Sequence, residues 1–241
     1  MNIHRLYAII SPPFRRKRLR WFLRRLNMPP EERVLDVGGY PWNWDETVLP
    51  NPIALLNLSY PAGIKKKYPR FACTTGDACA LPFADGGFDV VFSNSVIEHV
   101  GTWERQVQFA AEARRVGRKL WIQTPAWGFF IEPHLLAPFI HWLPVRWQRR
   151  LIRNFTPWGW FTRPSPACVD AFLAEVRLLT RPEMLQLFPD CEILEENFLG
   201  LTKSYIAVRT GRVDAGLEAG PRAVGAARGS ASPVSHRPVS L

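Results

Sequence analysis

The chain has 241 residues, enough to bury one sizeable core with room for an insertion, and its 47% apolar and 22% charged residues are ordinary for a globular protein. The net charge of +10 is uneven: residues 1–28 hold eight Arg/Lys and no acid, so +8 of it sits at one end. A basic terminus on a near-neutral body points to a surface contact with an acidic partner rather than to a protein built around nucleic acid, and the aromatic signatures of RNA-binding modules are absent.

Residues 1–28 read as a basic leading segment. Its apolar start precedes the basic run, the reverse of a secretory signal. Residues 14–27 predict a helix, with Leu19, Phe22, Leu23 and Leu26 at i, i+3, i+4 and i+7, arginines over the rest, and Pro29-Pro30 as the stop. Such a helix either docks its apolar face on the domain or lies on anionic lipid as a peripheral membrane contact. Residues 29–210 read as the main domain. Val34-Leu35-Asp36-Val37 is a short buried strand, residues 53–58 a second, 71–75 a weak third and 89–92 a fourth. Residues 104–116 are helical and 119–124 form a fifth strand. Strands alternating with helical stretches argue for a parallel α/β sheet covered on both faces.

Residues 125–180 break the pattern. They hold five of the ten Trp and many Pro, and read as an irregular helical insertion that covers a substrate. Residues 181–188 predict one more helix with Pro182 in its first turn. Residues 191–198 and 204–209 alternate as paired strands joined by Gly200-Leu201-Thr202-Lys203. The tail, residues 211–241, is rich in Gly, Ala, Ser, Pro and Arg and is expected to be disordered. Cys73, Cys79, Cys168 and Cys191 show no CxxC pair, as expected of reduced thiols in a cytoplasmic protein, two of them in the core. No apolar run approaches the roughly 20 residues of a membrane span.

The ends of the first four strands carry Asp36, Asn57, Asp77 and Ser93-Asn94-Ser95. In an open parallel sheet the carboxyl ends face one crevice, so these residues describe one cleft for a polar ligand. Gly38-Gly39 lets backbone approach that ligand, but Tyr40, Pro41 and Trp42 stand where a dinucleotide fingerprint needs glycine, which argues against NAD. Asn57 follows Asp36 at the interval of a ribose-binding acid, although it can equally be a polar residue that ends a strand.

Three segments carry a resemblance: Val34 to Gly39; Gly76-Asp77-Ala78; and Leu81-Pro82-Phe83-Ala84-Asp85-Gly86-Gly87-Phe88-Asp89-Val90-Val91 followed by Ser95-Val96-Ile97-Glu98-His99-Val100. Together they resemble class I S-adenosylmethionine-dependent methyltransferases of type 11. The resemblance implies a Rossmann-like fold: a mostly parallel seven-stranded sheet with a closing antiparallel pair and a helical insertion after strand five. It implies S-adenosylmethionine as cofactor, with Asp36, Gly38 and Gly39 around the methionine moiety and Asn57 at the ribose. Asp77 would take the adenine amino group, Ala78 the ring edge, and Ser93 and Asn94 the neighbourhood of the sulfonium.

Methyl transfer from a sulfonium needs placement and water exclusion more than acid–base chemistry, and a base only for a protonated nucleophile. Candidates for that base are His99, Glu132 and His134. Glu132-Pro133-His134 opens the insertion, where its Pro stiffens a loop in which Glu and His can converge. His141, Lys203 and Tyr205 are weaker. No metal is expected, because none of these groups has ligand spacing. The acceptor is read as a small or lipid-linked molecule and the protein as cytoplasmic, with peripheral membrane contact through residues 14–27 as the alternative to docking of that helix on the domain. The competing reading is a non-catalytic binding or scaffold protein on the same fold.

Overall fold

The computed structural model describes residues 3–44 and 49–211, with side chains from Phe14 onward. Its strands are β1 (Val34–Val37), β2 (Ile53–Asn57), β3 (Ala72–Thr75), β4 (Phe88–Asn94), β5 (Gly117–Pro125), the two-residue β6 (Ile131–Glu132) and β7 (Ala137–Pro138), β8 (Glu192–Phe198) and β9 (Leu201–Arg209). The helices are α1 (Ile3–Leu26), α2 (Ile64–Lys67), α3 (Trp103–Val116), α4 (Val145–Phe155), α5 (Pro157–Thr162), α6 (Pro166–Glu175) and α7 (Arg181–Leu187).

The main sheet has seven strands in the order β3-β2-β1-β4-β5-β9-β8. The first five are parallel, and β9 runs antiparallel to both neighbours. The chain leaves β1 in one direction toward β2 and β3, then returns to place β4 on its other side. That reversal opens a crevice at the carboxyl ends of β1 and β4, where open α/β sheets bind ligands.

All four residues of β1 are buried, as a central parallel strand requires. Leu35 and Val37 face Phe109 and Ala113 of α3 and Met184, Leu187 and Phe188 around α7. Val34 faces the opposite layer, where Phe22 and Leu26 of α1 pack with Trp44 and Trp121. Phe22 sits edge-on to Phe92 (4.9 Å) and Trp121 (5.7 Å). The α3 start is capped by Thr102, and Thr180 with Glu183 makes a capping box for α7, with Pro182 in the first turn as expected.

Several expectations are corrected. The first helix begins at Ile3 rather than residue 14, so Pro12-Pro13 lies within it. β9 begins at Leu201, and the joint to β8 is only Leu199-Gly200; both have positive φ (51° and 79°), the geometry of a tight hairpin turn. Alternation of side chains does not show where a hairpin turns when the turn is this short. The insertion is more regular than expected, a β6–β7 ribbon followed by α4, α5 and α6 around their own small core of Leu135, Ile140, Ile152 and Val169. All four cysteines are free, with Cys73 and Cys79 buried. No described helix is long and apolar enough to cross a membrane. The tail lies, from residue 212, outside the described residues.

Candidate active site

At the end of β1 the chain turns through Gly38 (φ 82°) and Gly39. A Cβ on Gly38 would stand 2.3 Å from Val96 Cγ2, and one on Gly39 2.0 Å from Asp36 Oδ2, so both positions exclude a side chain. Asn57 clamps this turn: its Nδ2 donates to the Gly38 carbonyl (3.2 Å) while its Oδ1 accepts from Leu58 N–H (2.9 Å). The Tyr60 hydroxyl donates to the Gly39 carbonyl (3.3 Å). The described part of the β1–β2 connection carries a 3₁₀ turn, Pro41–Asn43, in place of a helix whose N-terminus could face an anion.

Asp36 is only 2% exposed, and Trp44 Nε1 donates to its Oδ2 at 2.8 Å. Burial pushes the Asp36 carboxyl up to about 7, against the opposing pull of the Trp44 hydrogen bond and the Arg15 charge. Positive charge arrives from α1. Arg18 is buried; its Nε donates to Asn94 Oδ1 (3.0 Å) and its Nη1 to Glu196 Oε2 (3.0 Å), which staples the helix across the sheet. Arg15 donates to Asn43 Oδ1 beside Asp36. Between α1 and the strand ends lies a cavity of about 590 Å³ lined by Arg15, Arg18, Asp36, Gly38, Trp42 and Asn94 among others. The structure therefore brings Asp36, Gly38 and Asn94 to one cavity.

Asp77, beyond β3, is built differently. Its Oδ1 accepts from Cys79 N–H (2.9 Å), and Arg105 of α3 donates to both carboxylate oxygens (2.9 and 3.0 Å). The Cys79 N–H, and then the Arg105 guanidinium, hold its pKa below the ordinary carboxylate range although burial opposes them. The side chain remains 38% exposed. Ala78 packs against the main core. At the end of β4, Ser93 is fully buried and its hydroxyl donates to the Val37 carbonyl (3.0 Å), so that group serves the sheet rather than the cavity. Ser95 takes a positive φ of 58° and bonds Gln123 Oε1 (3.0 Å), which turns the chain off the sheet.

That turn leads to a second polar group. Glu98 is fully buried, with Oε2 accepting from the Thr124 hydroxyl at the end of β5 (3.0 Å). The His99 and His134 rings meet edge to face at 4.6 Å. His134 Nδ1 lies 2.6 Å from Oε1 of the buried Glu132, whose other oxygen accepts from Leu135 N–H. Burial pulls the His134 pKa down, but Glu132, with Glu98 and Glu175 behind it, outweighs that and leaves it raised. The three expected acceptor-side residues thus converge. A cavity of about 400 Å³ between the insertion and the start of α7 takes in Glu132, Leu135, Phe172 and Thr180.

His141 sits 3.0 Å from the Trp127 carbonyl, Tyr205 lies in the main core, and Lys203 lies over the Phe14 ring (3.3 Å) near Glu196, where burial lowers its pKa to about 8. Arg15, Arg18, Trp44, Arg105, Glu98 and Thr124 were not singled out by the sequence. Arg15 and Arg18 read there as part of the basic leading helix, and Glu98 only as part of the segment from Ser95 to Val100.

The strand order, with a reversed last strand and a strand-end aspartate over a glycine turn, is that of a Rossmann-like α/β fold with a closing antiparallel strand. Residues 55–120 match the methyltransferase-domain family. A demethylmenaquinone methyltransferase of Beutenbergia cavernae is 27% identical over 127 residues, covering 47% of this chain. The chain spans about half of that relative, 53% of its length. Among solved structures, a putative zinc-dependent alcohol dehydrogenase of Rhodobacter sphaeroides is similar with a TM-score of 0.51 (12% identity, 76% of this chain, 85% of that one). A methyltransferase of Methanosarcina mazei has a TM-score of 0.47 (13% identity, 78% and 94%). At 12% identity the likeness to the first of these is one of fold alone. The methyltransferase-domain match thus runs from β2 through α3 into β5.

Proposed function

We propose that the protein moves a methyl group from S-adenosylmethionine to a small-molecule acceptor. The observation that carries this reading is the buried Asp36 carboxyl, set against a side-chain-free glycine turn and lining a cavity with Arg15 and Arg18. The donor set fits an amino-acid moiety: the carboxylate accepts from an ammonium, and the guanidinium groups take a carboxylate. S-adenosylmethionine supplies an electrophilic methyl group on a sulfonium that leaves readily. Asp36 and Arg15 hold the methionine end. Gly38 and Gly39 allow close approach. Asn57, clamped on Gly38, offers its remaining hydrogen-bond capacity to ribose. Asp77 accepts from the adenine amino group, with Ala78 at the ring edge. Asn94 borders the reacting end, and Ser93 supports it from within the sheet. Glu132, His134 and His99 stand on the acceptor side, where a proton or a cation can be held.

A lipid-linked acceptor is the narrower form of this reading, and the membrane contact it needs lies in the insertion more than in residues 14–27. The Phe22–Leu26 face of α1 is spent on the sheet. The insertion instead exposes Trp142, Val145, Trp147, Phe155, Trp160 and Phe161. Arg146, Arg150 and Arg153 stand exposed among them. Exposed aromatic groups with arginines suit an anionic bilayer surface.

Two measurements test the parts separately. Calorimetry with S-adenosylhomocysteine should give binding well below millimolar, and its absence would end the cofactor reading. Flotation with anionic vesicles should recover the wild-type chain and lose the Trp147→Glu/Phe155→Glu variant. Equal behaviour of the two would remove the membrane contact while leaving methyl transfer intact.

A further inference from the structure

We propose that Glu98, His99 and His134 bind a divalent cation of the zinc class. One potential donor atom from each of the three lies within 4.8 Å of the others. The residues come from the turn after β4 and from the loop after β6, so their distance along the chain hides the grouping that the fold makes.

The buried carboxylate is the observation that points to a ligand. Glu98 is fully buried and its Oε1 has no hydrogen-bond partner among the described residues, while Oε2 is engaged by Thr124 at 3.0 Å. A buried carboxylate oxygen without a partner is costly, and such groups are rare in folded proteins. Here the orphan atom belongs to a residue that is clustered with two imidazoles. Each imidazole is oriented from behind. His134 Nδ1 faces Glu132 Oε1 at 2.6 Å, and His99 Nδ1 faces Glu175 Oε1 at 3.4 Å, which leaves Nε2 of each ring to donate. A carboxylate behind a ligating histidine fixes its tautomer and raises its basicity.

Two imidazoles and one carboxylate are a donor set for zinc and its late first-row neighbours, at roughly 2.0–2.2 Å per bond. Donors around such an ion stand roughly 3–3.6 Å apart, so the three groups close on it by small rotations. Three protein donors leave a coordination position open. This last point rests on the methyl-transfer reading: the open position takes an acceptor oxygen and lowers its pKa, so the acceptor carries a hydroxyl. The site also ties the insertion to the sheet.

The test is metal binding by the full chain, stripped with chelator and studied without cofactor or acceptor. Titration with Co²⁺ followed by visible absorption, and competition with Zn²⁺, should show one equivalent bound with Kd below about 10 μM. His134→Ala and His99→Ala should each weaken binding at least about tenfold, and Glu132→Gln by about 10–100-fold through loss of the orienting carboxylate. His141→Ala, outside the cluster, should bind as wild type. Wild-type binding no tighter than about 100 μM, or binding unchanged in His134→Ala, would overturn the site. Glu98→Gln is read only if its circular dichroism matches wild type; the two histidine variants decide otherwise. A chain that binds S-adenosylhomocysteine but no metal loses the cation site and keeps the cofactor reading, and a chain that binds zinc but no S-adenosylhomocysteine does the reverse.

Discussion

Two aspartates stand at the carboxyl ends of strands in the same sheet, yet their surroundings drive them in opposite directions. Asp36 is 2% exposed, and burial raises its carboxyl to about 7. Asp77 keeps a 38% exposed side chain, and the Cys79 N–H with the Arg105 guanidinium holds it low. The first is a group that a cation can ionise. The second is already ionised and already partnered. Position at a strand end therefore says where a carboxylate stands, and the next layer of side chains says what state it is in.

The largest expected effect comes from breaking the buried pair that holds α1 to the sheet. Arg18→Ala leaves Glu196, fully buried, without its close partner, since Lys203 Nζ stands 3.9 Å away. Loss of one partner of a buried pair costs about 3–5 kcal/mol, and in a domain of this size each kcal/mol lowers Tm by about 2–4 °C. Thermal denaturation should show that drop, and Arg18→Met with Glu196→Gln should recover most of it. A change below 1 °C in Arg18→Ala would mean that α1 is not stapled through this pair.

Next is Asp36→Asn. On the proposed function it removes a charge-assisted bond to the ammonium of the cofactor, worth about 1.5–3 kcal/mol, so calorimetry should show S-adenosylhomocysteine bound about 10–100-fold more weakly. Stability should move the other way. The folded pKa of Asp36 lies above its ordinary 3.8, so the folded chain holds more protons than the unfolded one between there and about 7. Stability contributed by this group therefore falls as pH rises through that window and is level above it. Urea unfolding at pH 5 and 7.5 should show a smaller loss of stability with rising pH in Asp36→Asn than in wild type. An equal loss in both would place the titration elsewhere.

The smallest effect belongs to Asp77. Its depressed pKa has the opposite sign: the stability it contributes is present above the ordinary carboxylate range and lost as pH falls through the folded value. Its ion pair with Arg105 is 38–42% exposed, and such pairs are worth at most about 1 kcal/mol. Arg105→Gln should therefore leave Tm within a few degrees and, on the proposed role of Asp77 toward adenine, tighten S-adenosylhomocysteine binding up to about fivefold, because the amino group would no longer share the carboxylate. Weaker binding in this variant would make Arg105 a positioning residue for Asp77 rather than a competitor.

Much of the crevice was legible because strands are local. Val34 to Val37 and residues 88–94 announce themselves by buried β-branched runs that end in polar residues, and the hairpin by alternation. What surrounds the aspartates was not legible, because it is assembled from far along the chain. Arg18 meets Glu196 and Asn94, and on a helix read by itself it is one more arginine on a solvated face. Trp44 and Arg105 reach their aspartates through tertiary packing that no periodicity records. The insertion was read as irregular because its helices are short, and Pro starts α5 and α6. Asn57 ended its strand as expected, but its clamp on Gly38 depends on the register of β2 against β1.

The most direct test is calorimetry of S-adenosylhomocysteine with the wild-type chain at pH 6 and pH 8. With Asp36 near 7 and the ammonium selecting its ionised form, affinity should rise about tenfold between the two, with protons released on binding at pH 6. Binding of equal strength at both pH values, without proton release, or no binding below millimolar at either, would contradict the account.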